Sequence, residues 1–250
     1  MSTRIKLEDV KEIVNSYGWQ LISKEYKNLS TEMEFACPEG HIVYTTWKRI
    51  RENFECPTCK EIEKSFGSVE IKSKSKGVIR TIALDDATNI TGWAVYDNKE
   101  LIAYGKFELT QRDTIERISK IRQWLINMID NWRPDKIAIE DIQLQTFMGR
   151  NGHSEAAVTT YKVLAQLQGV LLTTCFEKSI PYAVVHAATW RAHCKITAKA
   201  RTDQKRAAQL YVQNKFDKNV TQDEADAICI GAYMVEKYMK NNEMVEFSNL

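Results

Sequence analysis

Apolar residues fall along this chain in two rhythms. From Val78 to Leu84 they run almost unbroken as Val78-Ile79-Arg80-Thr81-Ile82-Ala83-Leu84, the pattern of a strand buried on both faces, and the run stops at Asp85. A turn-like Asp86-Ala87-Thr88-Asn89 and a second strand, Gly92-Trp93-Ala94-Val95-Tyr96, follow, with a third strand ending near Leu109. A helical period over about 114–132 leads past Pro134 to another short buried run, Lys136-Ile137-Ala138-Ile139, closed by Glu140. A long helix is then expected over about 154–178, a strand over 182–186, and two or more helices after it. Early antiparallel strands followed by strand-helix alternation predict an α/β fold, a mixed sheet flanked by helices. Upstream the rhythm is weaker, with an amphipathic helix over about 7–17 and strand-like segments around 19–22 and 32–35. From about Lys60 to Gly77 the pattern gives way to a charged, Ser- and Lys-rich connection. The expected division is therefore a small module over 1–66, a basic linker over 67–77 and a larger domain over 78–250.

The carboxylates that end these runs change the picture. Asp85 and Glu140 each close a buried strand, while Asp223 and Asp226, three apart at the start of a helical run, project from one helix face. Acids gathered near buried strand ends repel one another and are costly to desolvate unless cations neutralise them. Hard divalent ions held by oxygen meet that need. Cutting a phosphodiester in line uses one metal to prepare the attacking water and a second, about 4 Å away, to stabilise the leaving oxygen. The set Asp85, Glu140, Asp223 and Asp226 is thus a candidate ligand set for two Mg²⁺ or Mn²⁺ ions. Either Asp85 or Asp86 can open the set, and either can be an ordinary turn acid. Glu224 is assigned to structure, because Thr221-Gln222-Asp223-Glu224 reads as a capping box with Thr221 as N-cap.

A second chemistry sits near the start. Cys37-Pro38-Glu39-Gly40-His41 is followed after fourteen residues by Cys56-Pro57-Thr58-Cys59. Paired knuckles of this kind bring thiolates and an imidazole together tetrahedrally around one structural Zn²⁺, with all four positions filled by protein. In so small a module the metal is expected to supply much of the folding free energy.

Composition adds little by itself. The 250 residues are 44% hydrophobic, enough for a sizeable core, and the formal net charge is only +2. Distribution says more. Arg191, Lys195, Lys199, Arg201, Lys205 and Arg206 face the single acid Asp203, and Lys72, Lys74, Lys76 and Arg80 form a second cluster. Such clusters lower the cost of bringing phosphates toward an acidic site, and equally serve as solvated faces. Met1–Asp9 has no apolar core and no stretch reads as a membrane span, so a soluble, intracellular protein is expected, without a membrane partner.

In order and spacing, the block Asp85-Asp86-Ala87-Thr88-Asn89-Ile90-Thr91-Gly92-Trp93-Ala94-Val95, then Ala138-Ile139-Glu140, then Asp223-Glu224-Ala225-Asp226-Ala227-Ile228 resembles RuvC, the Holliday-junction resolvase family of the RNase H-like superfamily. The resemblance covers about residues 78 to 240. Between the blocks, Phe147-Met148-Gly149-Arg150-Asn151-Gly152-His153-Ser154-Glu155-Ala156 is similar to the family's junction-facing loop and the helix after it. Where the family usually has Pro-Gly after the first Asp, this chain has Asp86-Ala87, and the loop after Glu140 is longer. The resemblance implies an RNase H-like sheet, a basic residue near the scissile phosphate at Lys205, with Arg191 or Lys195 as another, and further DNA contacts from Lys199 and Arg201. It implies a junction-stacking role for Phe147 beside Arg150, against which stands a buried loop anchor. It also implies a homodimer, to which the helix bearing Tyr161, Leu164, Leu167, Gln168 and Leu171 contributes. The Cys/His module resembles small treble-clef or ribbon-like zinc modules appended to phage and mobile-element nucleases.

The expected activity is a metal-dependent, structure-selective endodeoxyribonuclease that resolves four-way DNA junctions by paired symmetrical nicks, in the cytoplasm of a bacterium or phage-infected host. Alternatives are an RNase H-like nuclease acting on other branched or hybrid nucleic acids, a non-catalytic junction-binding protein, and an actin-like ATPase, which the missing later Gly-rich phosphate loop disfavours. His153, His186 and His193 read as surface or core histidines, His186 lying nearest the site.

Overall fold

The computed structural model describes residues 5–66, 73–143, 155–240 and 243–244. The chain separates into two compact units, Met1–Lys64 and Ser65–Leu250.

In the first unit, α1 (Leu7–Ser16) precedes a three-stranded antiparallel sheet of β1 (Gln20–Leu21), β2 (Glu32–Ala36) and β3 (Ile42–Thr46), then α2 (Trp47–Asn53) and α3 (Pro57–Phe66). The seven-residue α2 went unanticipated because it offers only Trp47 and Ile50 as an apolar pair. Thr46 starts it by accepting the Arg49 N–H, and Phe54 ends it in the left-handed region at φ 49°. Val10, Val14, Trp19, Met33, Phe35, Trp47 and Ile50 are buried together, with Phe54 edge-on to both Trp19 and Trp47. The module therefore builds an aromatic core of its own around its cysteines, more than its size suggested.

The second unit is built on a five-stranded sheet in the order β6-β5-β4-β7-β8, where β4 is Arg80–Asp85, β5 Ile90–Asp97, β6 Glu100–Glu108, β7 Lys136–Glu140 and β8 Tyr182–Val185. β4, β5 and β6 pair antiparallel, and β4, β7 and β8 parallel. Helices α4 (Thr114–Trp132) and α5 (Glu155–Glu177) pack against each other, while α6 (Ala187–His193) and α7 (Arg201–Phe216) pack on α8 (Gln222–Tyr238). The short strands β9 (Met239–Lys240) and β10 (Glu243–Met244) follow. This is the mixed, helix-flanked sheet that the sequence predicts.

Strand alternation sorts the residues. Ala83, Ala94, Tyr96, Ala138 and Ala183 share a core with Ala225, Ala227 and Ile228 of α8. Phe107 of β6 stacks on Trp124 of α4, ring centroids 5.1 Å apart. Glycines on both sides of the contact, Gly92 on β5 and Gly231 on α8, decide how near the helix comes. A Cβ on Gly92 would lie 2.0 Å from the Asp223 carbonyl oxygen, and one on Gly231 would lie 2.3 Å from the Tyr96 ring. Tyr96 locks the approach by donating its hydroxyl to the Ile228 carbonyl at 2.7 Å.

Arg80 is not part of a phosphate-facing cluster. It is 1% exposed, forks onto Asp97 at 2.6 and 2.7 Å, donates to the Trp132 carbonyl and lies over the Trp132 ring. Its charge is consumed internally, so it reads as a buried structural pair, costly to break. Lys74 is likewise tied to Asp135 at 2.8 Å.

Candidate active site

Register brings the first two acids together. Ala83 pairs with Ala138 and Leu84 with Ile139 across the parallel β4 and β7, so Asp85 and Glu140 come next, at adjacent C-terminal strand ends. Alternation puts both on the face of Ala83 and Ala138, the face that α8 covers. The Thr221 cap fixes where α8 begins: the Thr221 N–H donates to Glu224 Oε2 at 2.7 Å and the Glu224 N–H to Thr221 Oγ1 at 3.5 Å. Asp223 and Asp226 thereby fall on the first turn and a half of a helix drawn close over Gly92.

All four acids line one cleft of about 570 Å³. Asp86 and Asp141 line it too, opposed by Arg191, Lys199, Arg201 and Lys205. Lys205 Nζ donates to Asp223 at 3.3 Å. Glu140 is held from several sides: Trp190 Nε1 donates to its Oε1 at 2.9 Å, the Arg191 guanidinium stands 3.9 Å away, and Gln168 Nε2 donates to its backbone carbonyl. His186, 63% exposed, pairs through Nδ1 with Asp141 at 2.7 Å.

The crowding shows in the proton affinities. Burial, then the fields of Glu140, Asp226 and Asp86, holds the Asp85 carboxyl well above the carboxylate range. Burial and Glu140 push Asp86 up to about 8. Asp226 rises to about 7, burial outweighing the opposite pull of Lys205 and Arg191. Glu140 acts on all three, which makes it the electrostatic hinge of the set. The basic side chains of the cleft do not offset this crowding, and carboxylate oxygens of this kind suit Mg²⁺ or Mn²⁺. The residues present fit such ions.

Lys195 stands apart. It is exposed at φ 59°, after α6, and is not among the residues lining the cleft. Phe147, Arg150 and His153 lie outside the described residues. Trp190, Asp141 and His186 joined the site without having been singled out for it, apart from the proximity noted for His186. On α5, Leu167 and Leu171 are fully buried in the core, whereas Phe176 is 79% exposed.

In the first unit, the ligating atoms of Cys37, His41, Cys56 and Cys59 all lie within 4.8 Å of one another. His41 Nδ1 is 3.4 Å from Cys37 Sγ, 3.2 Å from Cys59 Sγ and 3.6 Å from Cys56 Sγ, close to the edges of a tetrahedron with zinc-to-ligand arms of about 2.0–2.3 Å. Gly40, at φ 79°, turns the first knuckle, and the His41 N–H donates to Cys37 Sγ at 3.3 Å. Of the second pair, Cys56 directly precedes α3 and Cys59 lies in its first turn. Burial opposes ionisation of Cys56, but hydrogen bonds from His41 and Cys59 outweigh it and bring the thiol down to about 7. Burial and Cys56 push Cys59 up. The donor set fits one zinc ion.

The family described as crossover junction endodeoxyribonuclease RuvC matches residues 81–233. A curated relative of that name from Magnetococcus marinus is 24% identical over 161 residues, 62% of this chain and 83% of the relative. Another, from Ehrlichia ruminantium, is 30% identical over 108 residues, so the chain spans 61% of that relative's length. Among solved structures, T. thermophilus RuvC in complex with a Holliday junction substrate superposes with a TM-score of 0.47 at 16% identity, covering 62% of this chain and 91% of that one. No helix among the described residues is long and apolar enough to cross a membrane.

Proposed function

Because the chain belongs to the crossover junction endodeoxyribonuclease RuvC family, we propose that it is a metal-dependent endonuclease that resolves four-way DNA junctions by paired nicks. The observation that carries the reading is the convergence of Asp85, Glu140, Asp223 and Asp226, from three separate stretches of chain, on one cleft rimmed by cations. Asp85, Glu140, Asp223 and Asp226 hold two Mg²⁺ or Mn²⁺ ions, which when bound activate water and stabilise the leaving oxygen. Trp190 and Arg191 fix the Glu140 carboxylate so that it does not have to be reoriented when substrate arrives. Lys205 holds Asp223 in place, and with Arg191, Lys199 and Arg201 it offers positive charge to the phosphates entering the cleft. Lys195 acts farther out on the DNA backbone.

Phe147 and Arg150 carry the junction contact, Phe147 stacking where branch-point bases are least costly to separate. Two copies act together, since a four-way junction presents two strands related by symmetry and a two-fold dimer assigns one to each. The Cys37, His41, Cys56 and Cys59 module holds one structural zinc and forms a domain separate from the nuclease domain and its basic linker. Branched DNA is the substrate, met in the cytoplasm of a bacterial or phage-infected cell.

The deciding experiment incubates the purified chain with a four-way junction, a fork, a linear duplex and an RNA–DNA hybrid, in Mg²⁺, in Mn²⁺ and in chelator. Symmetrical nicks in the junction, dependent on metal and absent from duplex, are expected. Cutting the hybrid faster than the junction would replace resolution with RNase H-like activity, and binding without cutting in either metal would make the chain a junction-binding protein.

A further inference from the structure

Asp86 has no equivalent in the family pattern, which usually carries Pro there, and the structure gives it an unusual position. It directly follows β4 and lines the cleft, yet its side chain is 7% exposed. Three of the other acids of the cleft are matched. Glu140 has the Trp190 indole and Arg191, Asp141 has His186, and Asp223 has Lys205. Asp86 Oδ2 is buried and has no hydrogen-bond partner among the described residues. A turn acid uses its oxygens on nearby backbone N–H groups, and Asp86 does so in part, through its own N–H. An oxygen left over, buried beside Glu140 at the edge of an acid-lined cleft, is suited to a cation.

We propose that Asp86 is a fifth carboxylate ligand, sharing with Glu140 one of the divalent cations of the cleft. The inference rests on the reading of that cleft as a divalent-metal site and deepens it. Replacing a Pro with an acid directly after the first ligand strengthens the grip on that cation, so this chain is expected to work at lower metal concentration than a chain with only four acids.

Calorimetric titration of Mn²⁺ into the zinc-loaded full chain, with bound Mn²⁺ counted by electron paramagnetic resonance, tests this without any cleavage assay. Wild type, Asp86→Asn, Asp86→Ser and Asp85→Asn are compared, with melting temperature as the control on folding. Both Asp86 variants are expected to lose one site or weaken it by about tenfold or more while remaining folded. Wild-type affinity and stoichiometry in either Asp86 variant, with binding lost in Asp85→Asn, would overturn the inference and leave the four-acid site standing. Absence of Mn²⁺ binding by the wild-type chain would overturn both. Failure of both Asp86 variants to fold, with or without Mn²⁺, would make Asp86 a fold-holding residue and overturn the inference alone.

Discussion

The two donor sets of this chain are built on opposite plans. In the first unit four donor atoms sit within 4.8 Å of one another inside an aromatic core, with no position left for a substrate. In the second, six carboxylates line an open cleft of about 570 Å³ together with four basic side chains. A closed set of soft donors spends its binding energy on folding; an open set of hard donors keeps coordination positions for water and phosphate. The supports differ accordingly. The Cys/His cluster is held by turns, by Gly40 and the first turn of α3, whereas the acids are held by sheet register and by a helix brought close to the sheet at Gly92 of β5 and at its own Gly231.

Removing the metal from the closed site should have the largest consequence. Structural zinc sites in small domains carry apparent binding free energies of about 10–16 kcal/mol. Stripping zinc, or Cys56→Ser, is expected to abolish the melting transition of the first unit and leave that of the second in place. Metal analysis alongside calorimetry checks this. A zinc-free protein with both transitions intact would make the aromatic core sufficient by itself.

The open site should respond in the reverse way. Asp85→Asn removes a ligand whose loss costs several kcal/mol of transition-state stabilisation, on the order of 10³-fold in cleavage rate. Folding should persist, and the apo chain should become slightly more stable, because a carboxylate strained by Glu140 and Asp226 is gone. Single-turnover cleavage and thermal melting on one preparation separate the two effects. Full cleavage by Asp85→Asn would remove this residue from the site.

Gly92→Ala tests the support rather than the ligands. Its Cβ would meet the Asp223 carbonyl oxygen at 2.0 Å, so the start of α8 must shift. Overpacking of this kind costs about 1–3 kcal/mol, and displacement of Asp223 and Asp226 should lower cleavage more than stability. A variant as active as wild type would show that the cleft tolerates movement of the helix.

The strands and their closing acids were legible because the signal was local. An apolar run that stops at Asp85, another that stops at Glu140 and a capping box that sets Asp223 and Asp226 on one helix face are all contiguous in sequence. Partners supplied by tertiary structure left no such trace. Nothing in the sequence marked Trp190, whose indole donates to Glu140, and Asp141 became part of the cleft only through register with β8 and the neighbouring His186. Arg80 shows the converse failure. Its charge was visible in the sequence, but its address, buried on Asp97 and Trp132, was not.

The smallest effect is one of pH, and it separates the two sites most cleanly. Asp226 at about 7 and Asp86 at about 8 bind protons more tightly in the folded chain than in the unfolded one, where carboxylates titrate near 4. Their contribution to stability is therefore full below about pH 4 and is lost as pH rises through about 7 to 8. Zinc-loaded protein in Mg²⁺-free buffer should melt lower at about pH 8.5 than at about pH 6, by about 2–4 °C for each kcal/mol lost. Divalent metal must displace those same protons, so Mg²⁺ should raise the melting temperature of the second unit more at the higher pH. The first unit, offering Mg²⁺ no oxygen cluster of this kind among its described residues, should not respond. Equal stabilisation by Mg²⁺ at both pH values would mean that Asp86 and Asp226 do not give up protons to the metal, and the open site would then bind its cations through the remaining acids.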